Sequence, residues 1–356
     1  MKKTILHFIY NLGRGGAEMM MVKTIRELSE YNNIVVTLFP ENHFSDELVY
    51  DKYYCLNLSS LLLFPGAALK LKKIITDNKV DLVHTHLFWP TIIARLGTPR
   101  RIPLITTIHA FITKSVEYNN FHIRLLDKLT YRLRKNIIVA DAEGARQEYF
   151  SYLKLQPCPS YALHTFVDVR QFSFKNDRTP SESKSVFKII TVSALRVQKN
   201  HKYLVNALAL LKDENISLDI YGSGPLQSSL QQLINETGAK VTLKGEVNNI
   251  HDVISNYDLF VMSSTYEGFS LAVLEAMAMK VPLLLSDIPS FREQCDTTAC
   301  YFNLEQAYDF VSKLKGLITD KKQRLKMSQG AKDRVLKNFT LEHHMKRLRY
   351  IYAQSF

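Results

Sequence analysis

The chain has 356 residues, 46% hydrophobic and 22% charged, with a formal net charge of +12. That is enough for two ordinary domains with buried cores, and it argues against a disordered chain or a bundle of membrane spans. Four scattered cysteines, Cys55, Cys158, Cys295 and Cys300, have neither metal-ligand spacing nor the density of a disulfide framework, and they fit a reducing cytoplasm.

The opening MKKTILHFIY could pass for a signal peptide. Its apolar run is short and has no cleavage-like site, so it reads as a first strand. Gly13, Gly15 and Gly16 follow, then a helix. Strand, glycine turn and helix start together can cradle an anion, although a plain tight turn accounts for them as well. The pattern is not the dinucleotide fingerprint, whose third glycine position holds Glu18, nor a P-loop, which would end Lys-Ser/Thr.

Strand and helix then alternate. Strands are expected over 33–39, 80–86, 103–110 and 136–142, with helices over 65–78, 89–97 and 121–136. Repeated βα units predict a parallel sheet with helices on both faces and ligands at the carboxyl ends of the strands. His84, His86, His109, Asp141 and Glu143 stand at such ends. His84 and His86 share one side of a strand, but no third ligand has matching spacing, so no metal site is expected.

The positive charge is densest from Arg95 to Arg146, with ten basic and four acidic residues. Within it, Leu125, Leu129 and Leu133 recur at helical spacing, while Arg124, Lys128, Arg132 and Lys135 share another face. Such a helix can lie on an anionic membrane, or it can be a core helix with a solvated basic face. No zinc-finger spacing, RRM signature or basic low-complexity tail points to nucleic acid.

The pattern breaks up around Pro157 and Pro159, and the polar residues 175–185 read as a surface loop. A strand, a turn holding Arg196 and Lys199, and a helix open the second half. Two cations at a strand end can bear a diphosphate as charge builds on it. Another strand and helix flank Gly222 and Gly224. In residues 263–287, Glu267 lies in the turn after a strand, Ser270 can cap a helix, and Glu275 sits on its second turn. The helix start suits a phosphate, and a carboxylate can accept both hydroxyls of a ribose.

This stretch resembles the E-x7-E segment of retaining GT-B glycosyltransferases, the large family that includes sucrose synthase. Glu267, Gly268, Phe269, Ser270 and Leu271 are implied to face the donor sugar and Glu275 to hold the nucleotide ribose, with Ser270 replacing the family's usual proline. Gly15, Gly16 and Glu18 look like the family's first glycine loop, which lies against donor phosphates and acceptor. His109 matches its TxH histidine near the reacting carbon. Lys199 matches the lysine that bears the leaving diphosphate. Arg196 stands two residues after the common arginine position, which is Ala194 here. Gly222 and Gly224 match a Gly-x-Gly near the nucleotide, and residues 245–247 would flank the base. At the crossing between domains only Val167 and Asp168 remain of the family's Asn-Gly-Val-Asp.

The resemblance implies an α/β protein of GT-B type: two Rossmann-like, doubly wound domains facing a cleft, over residues 1–167 and 168–338, with a helix over 339–356 returning to the first domain. It implies transfer of a hexose-type sugar, with retention, from a nucleotide diphosphate sugar, UDP being commonest, to a saccharide or lipid-linked saccharide in surface polysaccharide synthesis. No cofactor or metal is implied, because Arg196 and Lys199 replace the ion. The place of action is the cytoplasm, with peripheral attachment to the inner membrane face through Arg124, Lys128, Arg132 and Lys135 as an option. A sugar-nucleotide 2-epimerase of the same shape and a non-catalytic sugar-nucleotide-binding module are the competing readings.

Overall fold

The computed structural model describes residues 2–13, 15–109, 111–115, 117–171, 186–247 and 250–356. The expected loop over 175–185 lies outside them. The chain forms two compact units, Met1–Thr165 with Glu342–Phe356, and Phe166–Leu341.

The first unit is built on a sheet of seven parallel strands: β1 (Thr4–Ile9), β2 (Asn32–Thr37), β3 (Lys52–Cys55), β4 (Leu82–His86), β5 (Leu104–Ile108), β6 (Ile137–Ala140) and β7 (Ser160–Ala162). Their spatial order is β3-β2-β1-β4-β5-β6-β7. The connecting helices are α1 (Gly16–Arg26), α2 (Phe64–Asp77), α3 (Phe88–Gly97), α4 (Phe121–Tyr131) and α5 (Glu143–Leu153). Every residue of β1 and β4 is buried, as expected of strands covered on both faces. The short edge strands β3 and β7 carry no sequence signal of alternation or apolar run.

The second unit repeats the scheme with six parallel strands: β8 (Phe187–Val192), β9 (Ile216–Tyr221), β10 (Val241–Gly245), β11 (Leu259–Met262), β12 (Leu283–Ser286) and β13 (Cys300–Phe302). Their order is β10-β9-β8-β11-β12-β13. Its helices are α6 (His201–Ala209), α7 (Gln227–Thr237), α8 (Ile250–Ile254), α9 (Leu271–Ala278), α10 (Pro289–Cys295), α11 (Ala307–Thr319) and α12 (Lys321–Asn338). Its core joins Leu204 and Leu208 of α6, Leu218 and Ile220 of β9, and Phe310 and Leu314 of α11.

The last helix, α13 (Leu341–Ser355), packs within the first unit. Arg349 donates to Glu30 at 2.5 Å and to the Glu27 carbonyl at 2.6 Å. Tyr352 is fully buried, with its hydroxyl 2.7 Å from His84 Nδ1. The crossings between units fall at 165/166 and 341/342 rather than at 167/168 and 338/339. The reason is local: the Val167 N–H donates to the Phe339 carbonyl and the Leu341 N–H to the Val167 carbonyl. The two crossing strands thus zip together inside the second unit.

Each sheet has one place where chain order reverses, between β1 and β4 in the first and between β8 and β11 in the second. In open parallel sheets such a point, outside the strand carboxyl ends, is the general ligand position.

Candidate functional site

In the second unit, the switch point brings together two of the residues that the sequence singled out, Lys199 and Glu267. The loop after β8 is held from below by the loop after β9. The Leu195 N–H donates to the Ser223 carbonyl at 2.8 Å, and the Gly222 N–H to the Gly245 carbonyl at 2.8 Å. Gly222 has φ +131°, and a Cβ there would strike the Ser193 carbonyl. A Cβ on Gly224 would meet the Leu195 backbone at 2.7–2.9 Å. Both glycines are required by this loop-on-loop contact, whatever ligand they also face.

The loop after β11 is stitched to the same place. Ser263 Oγ donates to the carbonyls of Lys199 and Asn200, both at 3.0 Å, and the Thr265 N–H donates to the Gln198 carbonyl at 2.8 Å. These bonds bring Lys199 Nζ to 2.6 Å from Glu267 Oε1, with both side chains largely buried. Ser264 Oγ donates to the same oxygen at 2.5 Å. Arg196 lies three residues before Lys199, exposed, with no side-chain hydrogen bond or ion pair among the described residues. His201, at the start of α6, is buried, and its pKa is lowered to about 4 by burial first and by Lys199 second. It is therefore neutral near pH 7 and adds no cation.

The E-x7-E stretch is arranged less simply than its spacing suggests. Ser270 does cap α9, with φ −77° and ψ 118°, but by backbone geometry alone. Its N–H is not open to a phosphate: it donates to Gln294 Oε1 at 3.1 Å, while Gln294 Nε2 donates back to the Ser270 carbonyl at 2.7 Å. Phe269 is buried edge-on against Phe339, their centroids 5.0 Å apart, so its side chain anchors the loop and does not face a ligand. Gly268 and Leu271 keep N–H groups that no described residue accepts. Glu275 is half-buried on α9.

In the first unit, the switch point holds histidines. His7 of β1 lies in register with His84 of β4, and His86 follows on the same face. His109, just beyond β5, places Nε2 3.1 Å from His86 Nδ1, the rings stacked at 5.3 Å. His344 of α13 bonds to the His164 carbonyl at 2.9 Å. With Asp141 and Thr107 they line a cavity of about 40 Å³. Burial is the main cause that lowers the pKa of His7, His109 and His344 to about 4 and of His84 and His86 well below the usual value. All five are neutral imidazoles at pH 7.

His7 is the third imidazole that spacing along the chain did not reveal. Nitrogens of His7, His84 and His86 lie within 4.8 Å of one another and could hold a metal ion. His86 Nε2 is buried without a hydrogen-bond partner among the described residues. His84 already has both nitrogens engaged, at 2.7 Å from Tyr352 and at 2.7 Å from Thr107, and would have to release one of them.

The first glycine loop also differs from expectation. Gly15 is the N-cap of α1, and a Cβ there would run into the Glu18 carboxylate. Glu18 is buried and folded back over the start of its own helix, so the anion position of this turn holds the chain's own carboxylate.

The family model "Glycosyltransferase Family 4" matches residues 14–171, and "Glycosyl transferases group 1" matches residues 173–334. The N-acetylgalactosamine-N,N'-diacetylbacillosaminyl-diphospho-undecaprenol 4-alpha-N-acetylgalactosaminyltransferase of Campylobacter jejuni is 27% identical, over 92% of this chain and 93% of its own length. The UDP-Gal:alpha-D-GlcNAc-diphosphoundecaprenol alpha-1,3-galactosyltransferase of Escherichia coli is 23% identical, over 84% and 81%. Among solved structures, Anabaena HepE in complex with UDP superposes with a TM-score of 0.84 at 15% identity, covering 99% of this chain and 100% of that one.

Proposed function

The chain belongs to the GT-B glycosyltransferases that these two family models describe, and from that premise we propose that it moves a hexose-type sugar, with retention of configuration, from a UDP-sugar to a hydroxyl of a lipid-linked saccharide in surface polysaccharide synthesis. The supporting relatives are named for diphosphoundecaprenol-linked acceptors, and the Anabaena structure holds UDP. The place of action is the cytoplasmic face of a membrane.

The observation that carries the proposal is the contact of Lys199 with Glu267 at 2.6 Å beside an exposed Arg196. When the sugar leaves, negative charge gathers on the diphosphate, and preorganised cations stabilise it most where water is scarce. Arg196 and Lys199 supply that charge in place of a divalent ion, so no metal is needed for transfer. Glu267 orients Lys199 and accepts hydrogen bonds from the sugar, with the open N–H groups of Gly268 and Leu271 beside it. Glu275 accepts from the ribose. To the first unit the resemblance assigns His109, for the sugar's reacting carbon, and Gly15, Gly16 and Glu18, for the donor phosphates and the acceptor. No protein nucleophile is assigned.

Lys199→Ala and Glu267→Ala, assayed with purified protein and a panel of UDP-sugars, are expected to lower transfer by roughly 10²-fold or more with thermal unfolding still cooperative. A rate like that of the unaltered protein in either variant contradicts the assignment.

A further inference from the structure

Side chains alternate along a strand, so His84 and His86 share one face of β4, and parallel pairing sets His7 of β1 beside His84. All three are buried, at 1–6% exposure. One nitrogen of each lies within 4.8 Å of the others, and the rings line a cavity of about 40 Å³ together with Thr107 and Asp141. Buried polar atoms normally have a partner. His86 Nε2 has none among the described residues.

The hydrogen bonds around the rings decide which nitrogen of each can take a cation. The Asn33 amide gives its N–H groups to the Leu28 carbonyl at 2.9 Å and the Tyr31 carbonyl at 3.3 Å. Its Oδ1, 3.2 Å from His7 Nε2, therefore accepts. His7 carries its proton on Nε2 and keeps the lone pair of Nδ1. His86 Nδ1 lies 3.1 Å from His109 Nε2, and a proton there is donated to His109 and leaves Nε2 bare. His84 lies between two hydroxyls, Tyr352 at Nδ1 and Thr107 at Nε2, both at 2.7 Å. Thr107 lines the cavity and Tyr352 is outside its lining. A threonine hydroxyl leaves by turning about one bond, so Nε2 is the nitrogen that His84 can give up. Each ring thus has an outer partner, Asn33, Tyr352 or His109, that holds it through the other nitrogen, as metal-bound imidazoles are held.

We propose that His7, His84 and His86 bind a zinc ion through the nitrogens that these hydrogen bonds leave. Three imidazoles with an open fourth position are a known zinc donor set. Zinc–nitrogen bonds of about 2.0–2.1 Å set the nitrogens about 3.4 Å apart, so the rings turn inward on binding. Asp141, in the wall of the same cavity, brings a carboxylate near a dication held out of water. The ion ties β1 to β4 and fixes the His86 proton on the side of His109. The transfer proposed above uses no ion, so this site goes beyond that reading, and each can fail without the other.

Protein stripped with EDTA, incubated with zinc chloride and desalted is expected to retain one zinc per chain, counted by elemental mass spectrometry. Cobalt in its place is expected to give the visible absorption of a four-coordinate ion. His7→Gln and His86→Gln are expected to weaken zinc binding beyond the roughly 10- to 100-fold that loss of an outer partner costs. His344→Gln, in the wall of the same cavity, is expected to leave binding unchanged. Cooperative melting of the stripped variants shows that they fold. Should either not fold, an anomalous-scattering map from a zinc-soaked crystal of the unaltered protein locates the ion directly, at bonding distance from the three rings. The proposal is overturned by an unaltered protein that retains no zinc, by folded His7→Gln and His86→Gln variants that hold it equally well, or by an anomalous peak only at surface histidines.

Discussion

Lys199 and Glu267 lie 68 positions apart in the chain and 2.6 Å apart in space. Each was legible in the sequence because its motif is contiguous: a strand end, a short turn and a helix start. What the motifs do not encode is which backbone groups remain open. The Ser270 N–H is taken by Gln294, 24 residues on, and Glu18 lies over its own helix start. His7 was missed for a related reason, since it meets His84 only through the pairing of β1 with β4. The histidine cavity gives a prediction at this scale. His7, His109 and His344 have pKa values near 4 in the folded chain and about 6.5 when unfolded. Between those values the unfolded chain binds more protons, so stability is full above pH 6.5 and falls as pH drops toward 4. The slope is roughly 1.4 kcal/mol per pH unit for each such histidine. Urea midpoints measured across this range should decline with acidity, and His344→Gln should flatten the decline; a midpoint independent of pH contradicts the burial argument.

At the scale of elements, α4 shows where periodicity misleads. A leucine repeat normally marks the inward face of a helix. Here Leu125, Leu129 and Leu133 are exposed and Asp127 is buried, bound by Arg95 of α3, Tyr118 and Tyr149. Arg95 and Asp127, 32 residues apart, decide the rotation, because a buried charge left without its partner is more costly than a few exposed leucines. Asp127→Ala is therefore expected to destabilise the protein by about 3–5 kcal/mol, read as a lower denaturant midpoint. A change below about 1 kcal/mol would mean that the network does not hold the helix. The long parallel strands and most helices were readable from apolar runs and Gly or Pro punctuation. Strands β3, β7 and β13 were not, having three or four residues at the sheet margins.

At the scale of the whole molecule, two sheets of like topology present opposite chemistry at equivalent points. The first switch point gathers neutral imidazoles, and the second pairs Lys199 with Glu267. Strand–helix alternation made the pair of sheets readable, and the return of α13 to the first unit follows from Tyr352 and Arg349. The placing of histidines in the first half and of the charged residues in the second was readable; the neutrality of the histidines was not, because it depends on their burial. A nucleotide diphosphate seated at the second switch point is tested most directly by a crystal of the protein with UDP. It should show the diphosphate within hydrogen-bond reach of Lys199 and Arg196 and the ribose hydroxyls on Glu275. A nucleotide bound with none of these three in contact would contradict it.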